Sequence, residues 1–174
     1  MADDTQLSPH FSLYDLTKTS HIDLQAENRH VTHEEQQKLV LVAVLLEQCR
    51  AILGCGLDIH SGRRYLGLNK RVGGSDRSQH LKCEAADFSP AGPDTEESIT
   101  TAWQKIATAA RQESIAFGQL IVESDSRGRE GRAYWVHISL GAPYRVAERC
   151  GEVLSMSDGK YTMISQIPPK GATI

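Results

Sequence analysis

The chain reads as a single α+β domain, an antiparallel sheet with a central buried helix and flanking helices. Three features lead there. Its 174 residues suit one domain with a real core. One long segment, Leu39 to Leu53, carries apolar residues at three- and four-residue steps. Several short stretches, QLIVE (119–123) and RAYWVHISL (132–140) among them, have the composition or alternation of strands and do not follow a regular strand–helix rhythm.

In chain order, residues 1–6 are polar and are expected to be flexible. A domain then spans 7–166, and 167–174 form a tail. LSPHFSLYDLTKTSH (7–21) reads as a docking arm, with Phe11, Leu13 and Leu16 as apolar contacts and Ser12 or Ser8 capping one helical turn. A polar connection, His21–His30, precedes the clearest helix start in the chain. Thr32 and Glu35 have the spacing of a capping box, and Gly54 closes the helix. This helix is apolar over more than one face and is expected to be the central buried one.

LDIHS (57–61) is a candidate strand leading into an arginine-rich loop, with Gly73-Gly74 as a turn. EAADF (84–88) is the next strand. Asp94 and Glu97 are expected to cap a second helix whose inner face is Ile99, Ala102, Trp103, Ile106, Ala107 and Ala110. The strands at 119–123 and 132–140 are joined by a charged loop, and residues 151–165 read as a hairpin turning at Asp158-Gly159. The tail from Gln166 is expected to be extended.

Composition excludes several functions. A net charge of −3 and a pI near 6.2 offer no electrostatic footprint for nucleic acid. The basic cluster Arg63, Arg64, Lys70, Arg71 and Arg77 reads instead as local anion recognition. The longest apolar run, residues 39–46, is too short to cross a membrane. The start has neither a basic n-region nor an apolar h-region, so no secretory signal is expected. Cysteines 49, 55, 83 and 150 form no C-x-x-C pair, which argues against a zinc knuckle, and nothing indicates a disulfide framework. Oligomeric state is not legible.

The chemistry gathers around residues 61–87. His80 follows a polar, glycine-bearing loop, and Asp87 lies in an otherwise apolar strand, where a carboxylate is costly unless paired or metal-bound. His137 repeats the pattern between Val136 and Ile138. By alternation Trp135, His137 and Ser139 share one strand face, and Tyr134, Val136, Ile138 and Leu140 share the other. Two histidines and one carboxylate are a common ligand set for catalytic zinc with an open fourth position. Glu123 closes the apolar strand QLIVE, either as a solvated carboxylate or as a general base. Arg64 is either a surface residue or a group that holds a substrate carboxylate or an oxyanion. His10, His21, His30 and His33 are expected to be solvated, His60 to play a supporting or core role, and Cys83 to pack as a small hydrophobe.

These residues carry a resemblance. Ser61, Gly62 and Arg64, then Asn69, Val72, Gly73 and Gly74, then Ser78, His80, Ala85 and Asp87, and finally Trp135, His137 and Ser139 resemble the signature of the zinc D-Ala-D-Ala carboxypeptidases. That family includes D-Ala-D-Ala dipeptidases and phage L-alanyl-D-glutamate endolysins, and it shares its fold with the hedgehog signalling domain. The opening segment resembles the small phage branch, and the likeness covers residues 7–145.

The resemblance implies that His80, Asp87 and His137 bind Zn2+, that Arg64 contacts substrate or its oxyanion, and that Ser78 orients substrate. There are two departures. Cys83 stands where the family has glycine. Tyr134 stands three residues before the last histidine, where many relatives carry an acid, so the base passes to Glu123, matching a strand-terminal glutamate of the phage branch. The implied function is hydrolysis of a peptide bond in peptidoglycan stem peptides or cross-links during phage or prophage lysis. Synthesis would be cytoplasmic, with release by lysis or carriage on a virion. The alternative is a non-catalytic zinc-binding, virion-structural or cell-wall-binding module of the same fold.

Overall fold

The computed structural model describes residues 4–126, 131–144 and 150–167. After a 3-10 turn at Ile22–Leu24 come α1 (Gln25–Arg29), α2 (His33–Leu53), β1 (Leu57–Ser61) and α3 (Leu66–Arg71). A second 3-10 turn, Gln79–Lys82, leads into β2 (Ala85–Pro90) and α4 (Glu96–Arg111). Strands β3 (Gln119–Asp125), β4 (Ala133–Ser139), β5 (Glu152–Ser157) and β6 (Lys160–Gln166) follow. The α+β expectation holds. All six strands form one sheet in the order β1-β2-β4-β3-β5-β6.

One pair departs from the antiparallel expectation: β3 and β5 run parallel, with Gln119 opposite Glu152. Both edges of β4 are taken, by β2 and β3, and β5 adds to the remaining edge of β3. The end of β4 lies beside the start of β3. A chain returning from there enters β5 in the direction of β3.

Helices α2 and α4 cover one face of the sheet. Ala86, Phe88, Leu120, Val136, Ile138 and Val153 from the strands meet Leu39, Val42, Leu46, Ile99 and Ile106 from the helices, all essentially without solvent exposure. The capping box on α2 is present, with Thr32 Oγ1 accepting from Glu35 N and Glu35 accepting from Thr32 N, and left-handed Gly54 ends the helix. This helix is buried on one broad face only. Leu41 and Val44 are exposed on the other, because a helix lying on a sheet needs a single apolar side. The expected inner face of α4 is buried except for Trp103, which is half-buried. Its cap is Thr95, not Asp94. The extended Thr95 backbone carries its hydroxyl to Ser98 N, while Glu96 and Glu97 complement the dipole of the first turn.

The N-terminal arm docks as expected: Phe11 and Leu16 are buried and Leu13 packs at the core edge. Ser12 and Asp15 cap each other across a turn. Residues 4–6 join the arm through Thr5 O, which accepts from Leu13 N, and Asp4, which accepts from Tyr14 N. The polar His21–His30 stretch, expected only as a connection, contains a 3-10 turn and α1. Tertiary hydrogen bonds hold it in place of an apolar stripe. Buried Asn28 donates to Thr17 O and Arg63 O and accepts from Tyr65 N, and Arg63 returns bonds to Glu27 O and Asn28 O and pairs with Glu35. The arm, α1 and the arginine loop are thereby locked together.

Two glycines of the motif are explained by contact. A Cβ on Gly62 would lie 2.4 Å from Leu16 O, and one on Gly74 would lie 2.3 Å from Asn69 Oδ1. The β5–β6 hairpin turns as expected at Asp158-Gly159, both with positive φ. The charged loop at 127–130 and the tail at 168–174 lie outside the described residues. No described helix is long and apolar enough to cross a membrane.

Candidate metal centre

The open face of the sheet carries the chemistry. Strand pairing places Ser61, Asp87, His137 and Ile121 in one row across β1, β2, β4 and β3. Alternation then puts Trp135 and Glu123, paired with each other, in the next row of the same face. The expected face assignment along β4 is therefore met. His80 enters from the 3-10 turn above β2, where the Ser78 hydroxyl accepts from His80 N at 3.3 Å.

His80, Asp87 and His137 are each under a tenth exposed, and one ligand atom from each lies within 4.8 Å of the others. Asp87 Oδ1 is 3.2 Å from His80 Nε2 and 2.8 Å from His137 Nδ1, and those two nitrogens are 3.3 Å apart. The far side of each ring is already committed. His80 Nδ1 donates to Gly62 O at 2.6 Å, and His137 Nε2 donates to Gln79 Oε1 at 3.0 Å. The Gln79 amide is oriented in turn by donation to Ser139 Oγ at 2.8 Å. With those tautomers, two lone pairs and a carboxylate oxygen converge on one point. Such an arrangement calls for a positive charge between them, and it fits a cation with nitrogen and oxygen ligands.

Electrostatics agree with the geometry. With no cation between them the rings can instead take up protons: burial opposes ionisation of Asp87, but the charge of a protonated His80, hydrogen bonds from both protonated histidines and the Arg64 charge outweigh it and hold the carboxyl well below its usual range. Burial lowers His80. Burial also works against a protonated His137, yet the hydrogen bond and charge of Asp87 raise it. Glu123, nine-tenths buried, is pushed up to about 7 by burial and then by the charge of Asp87. His137, Arg64 and the nearby Trp135 indole pull it back in part. The indole Nε1 is itself buried and closes no hydrogen bond of good geometry.

Each anticipated site residue has a definite place. Glu123 lies inside β3, which runs on to Asp125, not at its end. Tyr134 donates to Glu96 Oε2 at 2.9 Å, so its hydroxyl is engaged at the start of α4 and not with His80, Asp87 or His137. Arg64 bonds Asp87 Oδ2 through Nη2 and Ser61 Oγ through Nε. Its Nη1 has no partner among the described residues. Ser78 lines the cleft beside His80. His60 is exposed and bonds Ser89 Oγ, which corrects a core role. His10, His30 and His33 are exposed, as expected, and His21 is half-buried. Cys83 is fully buried in the core cluster, as expected for a small hydrophobe, and burial pushes its thiol up to about 12. Its φ of 58° is the left-handed conformation that glycine prefers.

Gln79, Ser139 and Asn28 were not singled out for these supporting roles. Gln79 and Ser139 adjoin the motif histidines, which was the one available signal. Asn28 stands in a polar stretch with none.

Two clefts meet at Arg64, Asp87, Val72 and Trp135. One, of about 810 Å³, contains the ligands and Glu123. The other, of about 650 Å³, is lined by His21, His60 and Arg132. An open groove over a buried two-histidine, one-aspartate set that could hold a metal ion, with a carboxylate beside it, is the donor set a metallohydrolase uses. A family model described as Peptidase M15 matches residues 11–139, and the chain belongs to that family of peptidases. No curated protein matches the sequence.

Proposed function

We propose that this protein is a zinc-dependent peptidase that hydrolyses a peptide bond in peptidoglycan stem peptides or cross-links, of the D-Ala-D-Ala carboxypeptidase or endopeptidase type. The observation that carries this reading is the convergence of His80, Asp87 and His137 within 4.8 Å, with Glu123 on the same sheet face. Zinc held by these three residues would supply a Lewis acid and lower the pKa of water at its open position.

The chain's own residues do the rest. Glu123 accepts a proton from the attacking water and delivers it to the leaving amine as the C–N bond breaks and the new C–O bond forms. Arg64 lines the groove and, with Nε and Nη2 engaged, keeps Nη1 to meet negative charge developing on the carbonyl oxygen. Its hold on Asp87 Oδ2 fixes the carboxylate so that Oδ1 stays on the ligand side. Ser78 positions substrate from the loop beside His80. The groove continuing past Trp135 toward His21 and His60 has room for peptide on both sides of the scissile bond. Phage or prophage lysis, with release through lysis or on a virion, is the setting in which such an activity fits.

Incubation of purified muropeptides with the zinc-loaded protein, with and without chelator, tests the proposal, and fragment masses name the bond. Chelator-sensitive cleavage restored by zinc is expected. Intact muropeptides under all conditions, with zinc shown bound, would overturn it in favour of a non-catalytic zinc module.

A further inference from the structure

The row that holds the metal ligands does not stop at β3. Pairing continues it from Ile121 to Leu154 on β5 and Met163 on β6, and the next row runs from Glu123 to Met156 and Tyr161. All of these residues line the cleft of His80 and His137. The hairpin reaches this arrangement through an irregularity. Val153, on the helix-covered face, pairs with Ser165, but Leu154 pairs with Met163, so Ile164 is the extra residue. Without that bulge, Tyr161 and Met163 would turn to the other face.

Tyr161 is 60% exposed and Met163 52% exposed, on the edge strand of the sheet. Partial burial, then the charges of Glu123 and Asp87, raise the Tyr161 phenol above its ordinary value, which places it within electrostatic reach of the centre. Across the cleft lies Arg77, exposed and without an ion-pair partner among the described residues. Glu152, on the same cleft, is engaged by Gln119 Nε2 at 2.7 Å. The whole hairpin lies beyond residue 139, where the family match ends.

We infer that the β5–β6 hairpin is a substrate-binding wall of the active site. Tyr161 and Met163 pack on short alkyl side chains of the peptide beside the scissile bond, and Arg77 on the facing wall receives a free carboxylate of the same peptide. The inference rests on the peptidase reading for its substrate class. Arg77 is the cation of the cleft that is not engaged with Asp87, and set against the apolar hairpin, with Asp125 and Glu152 on the same lining, it favours a peptide that is apolar along one edge and carries its carboxylate at the Arg77 end. It also gives the bulge and the exposed aromatic edge a purpose.

The test compares the zinc-loaded parent with the double variant Tyr161→Ala/Met163→Ala on a muropeptide that the parent cleaves. A rise in KM of about tenfold, with kcat within about twofold and zinc content unchanged, is expected when binding shared by ground and transition states is removed. Tyr161→Phe should recover most of the loss attributed to the ring. Thr162→Ala, on the opposite face, controls for damage to the hairpin. Arg77→Gln should raise KM for a peptide carboxylate more than for the corresponding amide. Unchanged KM in the double variant overturns the wall, and equal effects of Arg77→Gln on acid and amide overturn the carboxylate contact. If the parent cleaves no muropeptide, the peptidase reading fails separately. Calorimetric titration of the same muropeptides then decides the wall. Binding to the parent that weakens about tenfold in the double variant supports it, and absent or equal binding overturns it.

Discussion

Ile138 and His137 are neighbours on β4 and about equally buried, at 0% and 6% exposure, yet they face different worlds. Ile138 points into hydrocarbon beneath α2 and α4. His137 points to the open face, where Asp87, His80 and Gln79 satisfy it. The helix-covered face excludes water with carbon alone and depends on volume. The other face buries polar groups and depends on partners, because each ligand costs free energy unless its neighbours and a cation compensate it. Burial by itself therefore distinguishes nothing on this sheet. What surrounds the buried group does.

That contrast can be broken most directly at the ligands. His137→Ala should abolish zinc binding and lower kcat/KM by at least about 10⁴-fold, since both the metal and its water are lost. Metal analysis beside a cleavage assay reads this, and retained stoichiometric zinc with near-normal activity would refute the ligand assignment. Glu123→Gln should keep zinc and lower kcat by about 10³-fold. Full activity in that variant removes Glu123 as the base.

Glu123 also makes a pH prediction. Its folded pKa, raised from 4.5 to about 7, means the metal-free native state binds more protons than the unfolded chain between those values. The contribution of Glu123 to stability is thus present below pH 4.5 and lost as pH rises through 7. Urea midpoints of the metal-free parent should fall across that window relative to those of Glu123→Gln. In catalysis the required form is the carboxylate, so activity should decline on the acid side.

On the carbon face, Ile138→Ala should cost about 3 kcal/mol of stability through cavity formation and leave kcat per folded molecule intact. Denaturation and active-site titration separate the two quantities. A subtler change, Gln79→Ala, leaves His137 in place but frees its ring, and zinc affinity should fall about tenfold or more. The smallest effect is expected at Cys83. Glycine there relieves the left-handed backbone but removes a packed thiol, so thermal stability should change by no more than about 1 kcal/mol. A β-branched valine at Cys83 should destabilise markedly more.

The residues that converge at the candidate metal centre were legible in the sequence because their cost was: Asp87 among alanines and His137 between Val136 and Ile138 are polar groups in apolar runs. The capping box at Thr32 and the turn at Asp158-Gly159 were legible because both are local, satisfied within four residues. Asn28 was not, since its three bonds reach Thr17, Arg63 and Tyr65 and leave no periodic trace. The cap of α4 was misplaced by one residue because Asp94 and Thr95 are chemically equivalent candidates and only backbone conformation chooses between them. Arg64 could be assigned to the site, but not to its engagement with Asp87 Oδ2.

By itself, then, the order of residues determined the kind of chemistry and most of the elements that carry it. Those follow from short-range spacing and from the energetic anomaly of a charge in an apolar strand. Tertiary structure alone decided which groups meet. Glu123 stands beside Trp135, and Tyr161 faces the same cleft, because of pairing between strands distant in the chain, a parallel β5 and a single bulge in the hairpin. A one-residue change in register turns every side chain of a strand to the other face. No local pattern in the sequence specifies that register; the packing of the whole sheet does.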